Sequence, residues 1–351
     1  MPSSDFQSRL EVPIFGEVAG AQAASIGASR LELNCSGSYA LGGTTPTESS
    51  LFALRSALSF HGANRPAIRI MIRPRGPPPP PATASPQSDS QAQTEQQQQQ
   101  QQQQKQPLQD FIYTPAELAT MADSIREFAA SGLLDPALGD GFVFGVLRSP
   151  PGRDGRSEKE EAEGAVVELD VAQNRRLVEL ARPFKCVLHR AVDDVFSSCV
   201  RLAGLRAGAG IDAAGTTASA AAGAGGDGDG DGDGRRGQRL VETGVEEMMR
   251  QVKSCGFDGM LTSGGKGRAV DNVGCLKAVI AAAGRHGVEV IVGGGVRSGN
   301  LGRLMDGLGE VGGSVWCHSS CLKVDAEAKE MFDVEEARGL VEGLRSAGWG
   351  L

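Results

Sequence analysis

The sequence predicts a (β/α)8 barrel interrupted by two low-complexity insertions. Three observations lead there. Eight short strand-like segments alternate with amphipathic helical ones along the whole chain. With two tracts of biased composition removed, roughly 280 residues remain, close to the ~250 of such a barrel. Polar residues also gather where the strand segments end, the face on which barrels of this kind carry their sites. A doubly wound open sheet is the alternative, but no Gly-x-Gly-x-x-Gly opens the first helix. The expected domain runs over 9–349 as one unit.

Taken in order, Leu10-Glu11-Val12 reads as the first strand, and the Ala-rich stretch Glu17 to Ile26 as a helix that Gly27 ends in a left-handed conformation. Arg30-Leu31-Glu32-Leu33-Asn34 is the second strand, apolar on one face only. Thr45 and Pro46 open a helix as cap and first helical residue. The third strand begins at Ala67: Ile68, Ile70 and Ile72 share one face, Arg69, Met71 and Arg73 the other. Pro74 stops it, leaving Arg73 and Arg75 at its C-terminal end.

From 77 to 109 the chain is rich in Pro and Gln, with nine consecutive glutamines from Gln96 to Gln104. Such a tract has almost nothing to bury and reads as a disordered insertion in the loop after the third strand. Thr114 then caps a helix striped by Leu118, Met121, Ile125 and Phe128. Gly141 to Leu147 is the fourth strand and Phe184 to Arg190 the fifth, with helices over Val171 to Ala181 and Val192 to about Arg206. A second tract, 207–237, is rich in Gly, Ala and Asp and reads as a flexible acidic insertion between strands five and six. Its Asp-Gly run lacks the Glu an EF-hand needs at its twelfth position, where Gln238 or Leu240 falls. Helix resumes around Val245 to Val252. Strands six (Phe257 to Thr262), seven (Val288 to Val292) and eight (Ser314 to His318) follow, with helices between them and a last one striped by Val334, Ala337, Val341 and Leu344.

Composition narrows the function. A net charge of −8 argues against a nucleic-acid groove. There is no apolar run long enough to span a bilayer and no basic-then-apolar leader at Met1, and seven cysteines without a framework suit a reducing, cytoplasmic setting.

The residues at the strand ends suggest an anion. Arg73, Arg75 and Arg190 would face negative charge, and the Ser263-Gly264 and Gly293-Gly294-Gly295 loops would offer backbone N–H groups, with Thr262 and Ser319 beside them. Glu11, Glu32, Arg73, His189 and Asp193 are the candidate catalytic set, Glu11, Glu32 and His189 as general acid or base. Together they would make a lyase- or isomerase-like site for a small phosphorylated or carboxylated metabolite. A metal is the other possibility. Cys317-His318-x-x-Cys321 has ligands soft enough for Cu(I), although adjacent strand residues point to opposite faces and zinc would lack a second ligand pair.

Several runs, in this order, resemble the CutC family of copper homeostasis proteins: Leu10-Glu-Val12, Gly27-Ala-Ser-Arg-Leu-Glu-Leu33, Gly42-Gly-Thr-Thr-Pro46, Met71-Ile-Arg-Pro-Arg-Gly76, Asp110-Phe-Ile-Tyr113, Gly141-Phe-Val-Phe-Gly145, His189-Arg-Ala-Val-Asp193, Leu261-Thr-Ser-Gly264, Gly293-Gly-Gly-Val296 and His318-Ser-Ser320. The resemblance implies a (β/α)8 barrel, a cytosolic setting, self-association into a homo-oligomer and a copper-linked role. It places Pro13 and Asn34 where the family usually carries cysteines, with Cys35 one step on. Cys35 and His318 are then the expected copper ligands, with His189 a further candidate.

Overall fold

The computed structural model describes residues 8–78, 109–150, 166–206, 231–310, 315–324 and 330–349. Eight parallel strands close into a barrel: β1 (Ser8–Ile14), β2 (Ala28–Leu33), β3 (Ala67–Met71), β4 (Gly141–Phe144), β5 (Lys185–Leu188), β6 (Gly259–Thr262), β7 (Glu289–Val292) and β8 (Val315–His318). Each pairs with its neighbours in sequence, and β8 returns to β1 through Leu10 opposite Cys317 and Glu11 opposite His318. The predicted barrel is the observed one.

Alternation along the strands divides the core in two. Leu10, Val12, Leu31, Leu33, Ile68, Ile70, Phe142, Phe144 and their equivalents face outward into the large core beneath the helices. Met71, Val143, Val187, Ile291 and Trp316, with Leu261 against them, fill the barrel's interior as one layer. Each fully buried side chain of this kind contributes about 1.5–3 kcal/mol. The interior layer lies between the two barrel ends, and Arg30 passes it against the Trp316 ring.

The surrounding helices are α1 (Glu17–Ile26), α2 (Glu48–Ala57), α3 (Pro115–Ala130), α4 (Val171–Ala181), α5 (Ala191–Arg206), α6 (Asp231–Cys255), α7 (Val273–His286), α8 (Ser298–Leu308) and α9 (Val334–Ser346). Gly27 ends α1 at φ 103°, as expected. Thr114 and Glu117 form a full capping box on α3, with Pro115 at its first position.

Three boundaries differ from expectation. The cap of α2 is Thr47, whose side chain accepts from the Ser50 N–H; Thr45 instead turns its hydroxyl to the Arg73 N–H, tying the loop to the end of β3. β4 stops at Phe144. There Asn174 takes both the N–H and the carbonyl of Val146, drawing the chain out of the barrel into a short pair of Leu147–Arg148 with Glu168–Leu169. Helix α6 begins at Asp231, inside the tract expected to be a linker, because the amphipathic helix that packs on α5 and α7 extends backward past its apolar stripe. The rest of that tract, 207–230, and residues 79–108 of the first tract lie outside the described residues. Among the described residues, no helix is long and apolar enough to cross a membrane.

Candidate functional site

The C-terminal ends of the strands surround a cavity of about 520 Å³. Its wall includes Glu32 and Asn34 from the end of β2, Arg73 after β3, His189 and Arg190 after β5, Ser263 after β6, Gly293 to Gly295 after β7, and His318 to Ser320 at the end of β8. Of the sequence-predicted residues, Glu32, Arg73, His189, Arg190, Asp193, Thr262, Ser263, Gly293, Gly294, Gly295, His318 and Ser319 meet there. Arg75, Gly264 and Cys35 are not in the wall.

Glu11 lies directly below, at the head of a charged stack. Its Oε1 meets His318 Nδ1 at 2.8 Å, and its Oε2 accepts from Arg30 Nη1 at 3.2 Å. Arg30 in turn grips both oxygens of Glu289, at 2.7 and 3.0 Å, and lies 3.7 Å from the centre of the Trp316 ring. Burial by itself would raise Glu11. The hydrogen bond with His318 and the charges of Arg30, His318 and Arg69 outweigh it and hold the carboxyl down at about 2. His318 moves the other way: burial would lower it, but the Glu11 hydrogen bond and the charges of Glu32 and Glu11 raise it above its ordinary value. Glu32 is raised by burial and by Glu11, against the opposing pull of His318 and Asn34.

Ligand atoms of Glu11, Glu32 and His318 all lie within 4.8 Å of one another. Glu32 is 4% exposed; its Oε1 accepts from Asn34 Nδ2 at 3.1 Å, while its Oε2 has no partner among the described residues. Leaving such an atom buried and unpaired costs about 1–3 kcal/mol, more for a charged group. Asn34 itself is held against the turn at Gly43. That residue has φ 85°, and a Cβ there would fall 2.1 Å from Asn34 Oδ1, so only glycine fits.

The basic and acidic members of the predicted set divide by how fully the protein engages them. Arg73 donates to the Leu41 and Gly43 carbonyls and to both oxygens of Asp110, at 2.9 and 3.0 Å, so its guanidinium pins two loops and is not open to a ligand. Arg75 turns away to Glu117, 2.7 Å off, and to the Gln109 and Ile112 carbonyls. Asp193 accepts from Thr262 Oγ1, from the N–H and hydroxyl of Ser263 and from the Gly265 N–H, fixing the loop after β6; burial pushes it up to about 6 against those four bonds. Gly264 completes that loop by donating to Thr262 Oγ1.

Copper, which the family resemblance implies, can be judged against these donors. Cu(I) prefers thiolates. Cys186 and Cys317 belong to the outward-facing core, and burial pushes both thiols up, Cys186 to about 12. Cys321 is likewise pushed up to about 12, and its thiol lies against the Ser319 carbonyl. Cys35 is not in the cavity wall, and the group of three ligand atoms that converges among the described residues is Glu11, Glu32 and His318. One imidazole and two carboxylates suit a divalent ion, Cu(II) included, better than Cu(I).

Sequence reasoning missed Arg30, Glu289 and Phe111. The first two were signalled by charge on the inward face of buried parallel strands, the same face as Glu32. Phe111 was signalled by nothing local: it stands at φ 63°, in the left-handed region, with its ring 4.5 Å from that of His189.

The family model described as the CutC family matches residues 241–317, from α6 through β8. Among solved structures, the chain is similar to the CutC protein of Streptococcus agalactiae, which is named for copper homeostasis, at 17% identity over 90% of this chain and 99% of that one, with a TM-score of 0.52. No curated protein matches the sequence. The resemblance to the CutC family carried by the sequence motifs is thus borne out in sequence over residues 241–317, and the barrel fold is shared with that solved structure.

Proposed function

We propose that this chain serves the copper-linked role its CutC resemblance suggests, and that it does so at the barrel mouth by holding copper as the divalent ion on Glu11, Glu32 and His318. The observation that carries this is the convergence of three ligand atoms within 4.8 Å, together with a buried Glu32 oxygen that has no partner among the described residues. A cation there would take up the Glu32 oxygen and balance two carboxylates in a low-dielectric site. The rest of the stack supports the ligands: Arg30 and Glu289 hold Glu11, and Asn34 aims Glu32. A cytosolic setting and self-association come from the same resemblance and are proposed with it.

Titration of the purified chain with Cu(II) against a competing chelator, followed by electron paramagnetic resonance, tests this reading. The expected result is one bound ion with nitrogen coupling from one imidazole, weakened by Glu32→Gln and unchanged by Cys35→Ser. Uptake of Cu(I) that depends on Cys35 and ignores Glu32 would overturn it.

A second reading is favoured by the Glu11–His318 hydrogen bond. A buried carboxylate that orients an imidazole beside a second carboxyl group is the layout of a general acid–base pair. On this reading the barrel is a lyase- or isomerase-like enzyme acting on a small phosphorylated or carboxylated metabolite. A thermal-shift screen of such anions checks it; the reading fails if none raises the melting temperature.

A further inference from the structure

The β2 side of the mouth presents acceptors that need a cation or a donor. The β5 side presents the opposite, a donor that needs an acceptor. We infer that the mouth takes a small oxyanion, a carboxylate or a phosphate, that accepts a hydrogen bond from Nε2–H of His189 and lies against the Arg190 guanidinium. This rests on the mouth being the functional site, but not on copper being its metal.

The tautomer of His189 follows from its surroundings. Its Nδ1 accepts from the backbone N–H of Ala191 at 3.3 Å, so the lone pair is there and the proton of the neutral ring is on Nε2. The ring is kept neutral by burial first, then by the positive charges of Arg73 and Arg190. Its Nε2 has no partner among the described residues, although the residue is only 2% exposed and forms part of the cavity wall. Were the ring there for packing against Phe111 alone, an apolar side chain would do as well and would leave no unmatched N–H.

Arg190 supplies the charge. Unlike Arg73, it is engaged only loosely by the protein: its side chain is 55% exposed and lines the mouth, and its Nη2 approaches Asp110 at 3.6 Å. Asp110 is already shared with Arg73, and of the other two aspartates in this wall, Asp193 is taken up by Thr262, Ser263 and Gly265, which leaves Asp194 beside the incoming anion. A neutral N–H beside a cation selects an oxygen that is negative or strongly polarised, and rejects an ammonium group. The same pairing of a neutral imidazole donor with nearby positive charge polarises carbonyl oxygens in other barrels.

Calorimetry on the full chain, freed of metal by a chelator, tests this with inorganic phosphate in one arm and glycolate in the other. Binding in one arm identifies the source of the oxyanion. His189→Leu is expected to weaken that arm about tenfold or more, Arg190→Gln about tenfold, and His189→Gln, which keeps an N–H donor, far less. Should His189→Leu not fold, NMR of the imidazole nitrogens in the wild-type chain decides: the proton is expected on Nε2, and that nitrogen's shift is expected to move when the anion is added. The inference is overturned if neither anion binds, if His189→Leu binds like wild type, or if the proton sits on Nδ1. Cu(II) uptake measured on the same protein separates the two proposals. Copper bound without an anion leaves the copper reading standing alone, and an anion bound without copper does the reverse.

Discussion

Both ends of the barrel hold buried charge and treat it differently. At the N-terminal end, Asp140 accepts from both terminal nitrogens of Arg65, from the Ile68 N–H and from the Asp135 N–H. Asp258 is gripped there by Arg182, Lys185 and the Cys186 N–H. What is left over at that end, among the described residues, is guanidinium Nε atoms such as those of Arg65 and Arg69. At the mouth the Arg73 Nε is left in the same way, and beside it stand unmatched atoms of other kinds: a carboxylate oxygen of Glu32, the amide oxygen of Asn34 and the imidazole Nε2 of His189. Both ends show that buried charge alone does not mark a site. The distinction is whether the protein itself completes the hydrogen bonding, as a structural network does, or leaves groups for something else to complete.

The sharpest way to break that comparison is to remove one partner at each end. Arg65→Ala leaves the Asp140 carboxylate buried without its cation and is expected to cost about 3–5 kcal/mol, read from the denaturant midpoint. The folded fraction should take up Cu(II) as wild type does. Glu32→Gln should behave in the opposite manner. Removing a buried, poorly satisfied carboxylate is expected to leave stability unchanged or slightly higher. Cu(II) affinity should fall at least tenfold to a hundredfold, since even residues that only support metal ligands cost that much. If Arg65→Ala lowered the copper affinity of the folded protein as much as Glu32→Gln does, the two ends would not be separable in this way.

Much of this division could be read in the sequence. The alternation in β3 set Ile68, Ile70 and Ile72 on one face and Arg69, Met71 and Arg73 on the other, and in the fold the isoleucines join the outer core while Met71 joins the barrel interior. The Thr114 capping box and the Gly27 stop are local devices, visible within a few residues. What could not be read was partnership. Glu11 and His318 are 307 residues apart, and only barrel closure in the observed register makes them neighbours. Arg73 and Arg75 look equivalent beside Pro74, yet one is bound by Asp110 and the other turns to Glu117, because Asp110 and Glu117 arrive from beyond the Gln-rich tract. A residue's type shows what it could bind; only the fold shows what has already bound it.

Acid sharpens the comparison from the mouth's side. Glu11 is held at about 2, below its ordinary 4.5, so its contribution to stability is complete above about 4.5 and is lost as the pH falls toward 2. Glu11→Gln should remove that part of the acid limb, on the order of 1–3 kcal/mol, and flatten the stability profile below about pH 4.5. An unchanged profile would mean that the carboxylate is not held by Arg30 and His318 as described.

The smallest effect is expected where sequence and structure disagree most plainly. Arg75 was placed in the anion-binding set by its position at the end of β3. In the fold its Nε donates to Glu117 Oε1 at 2.7 Å, and both side chains are about a fifth exposed, at 21% and 23%. A partly solvated pair of this kind is worth roughly 0–1 kcal/mol. Arg75→Ala should therefore lower stability by less than about 1 kcal/mol and leave both copper and oxyanion affinity untouched, whereas Arg190→Gln, across the mouth, weakens the anion alone. Calorimetry on the two variants side by side decides the point. A loss of anion binding in Arg75→Ala equal to that in Arg190→Gln would return Arg75 to the site and show that its pairing with Glu117 opens when a ligand arrives.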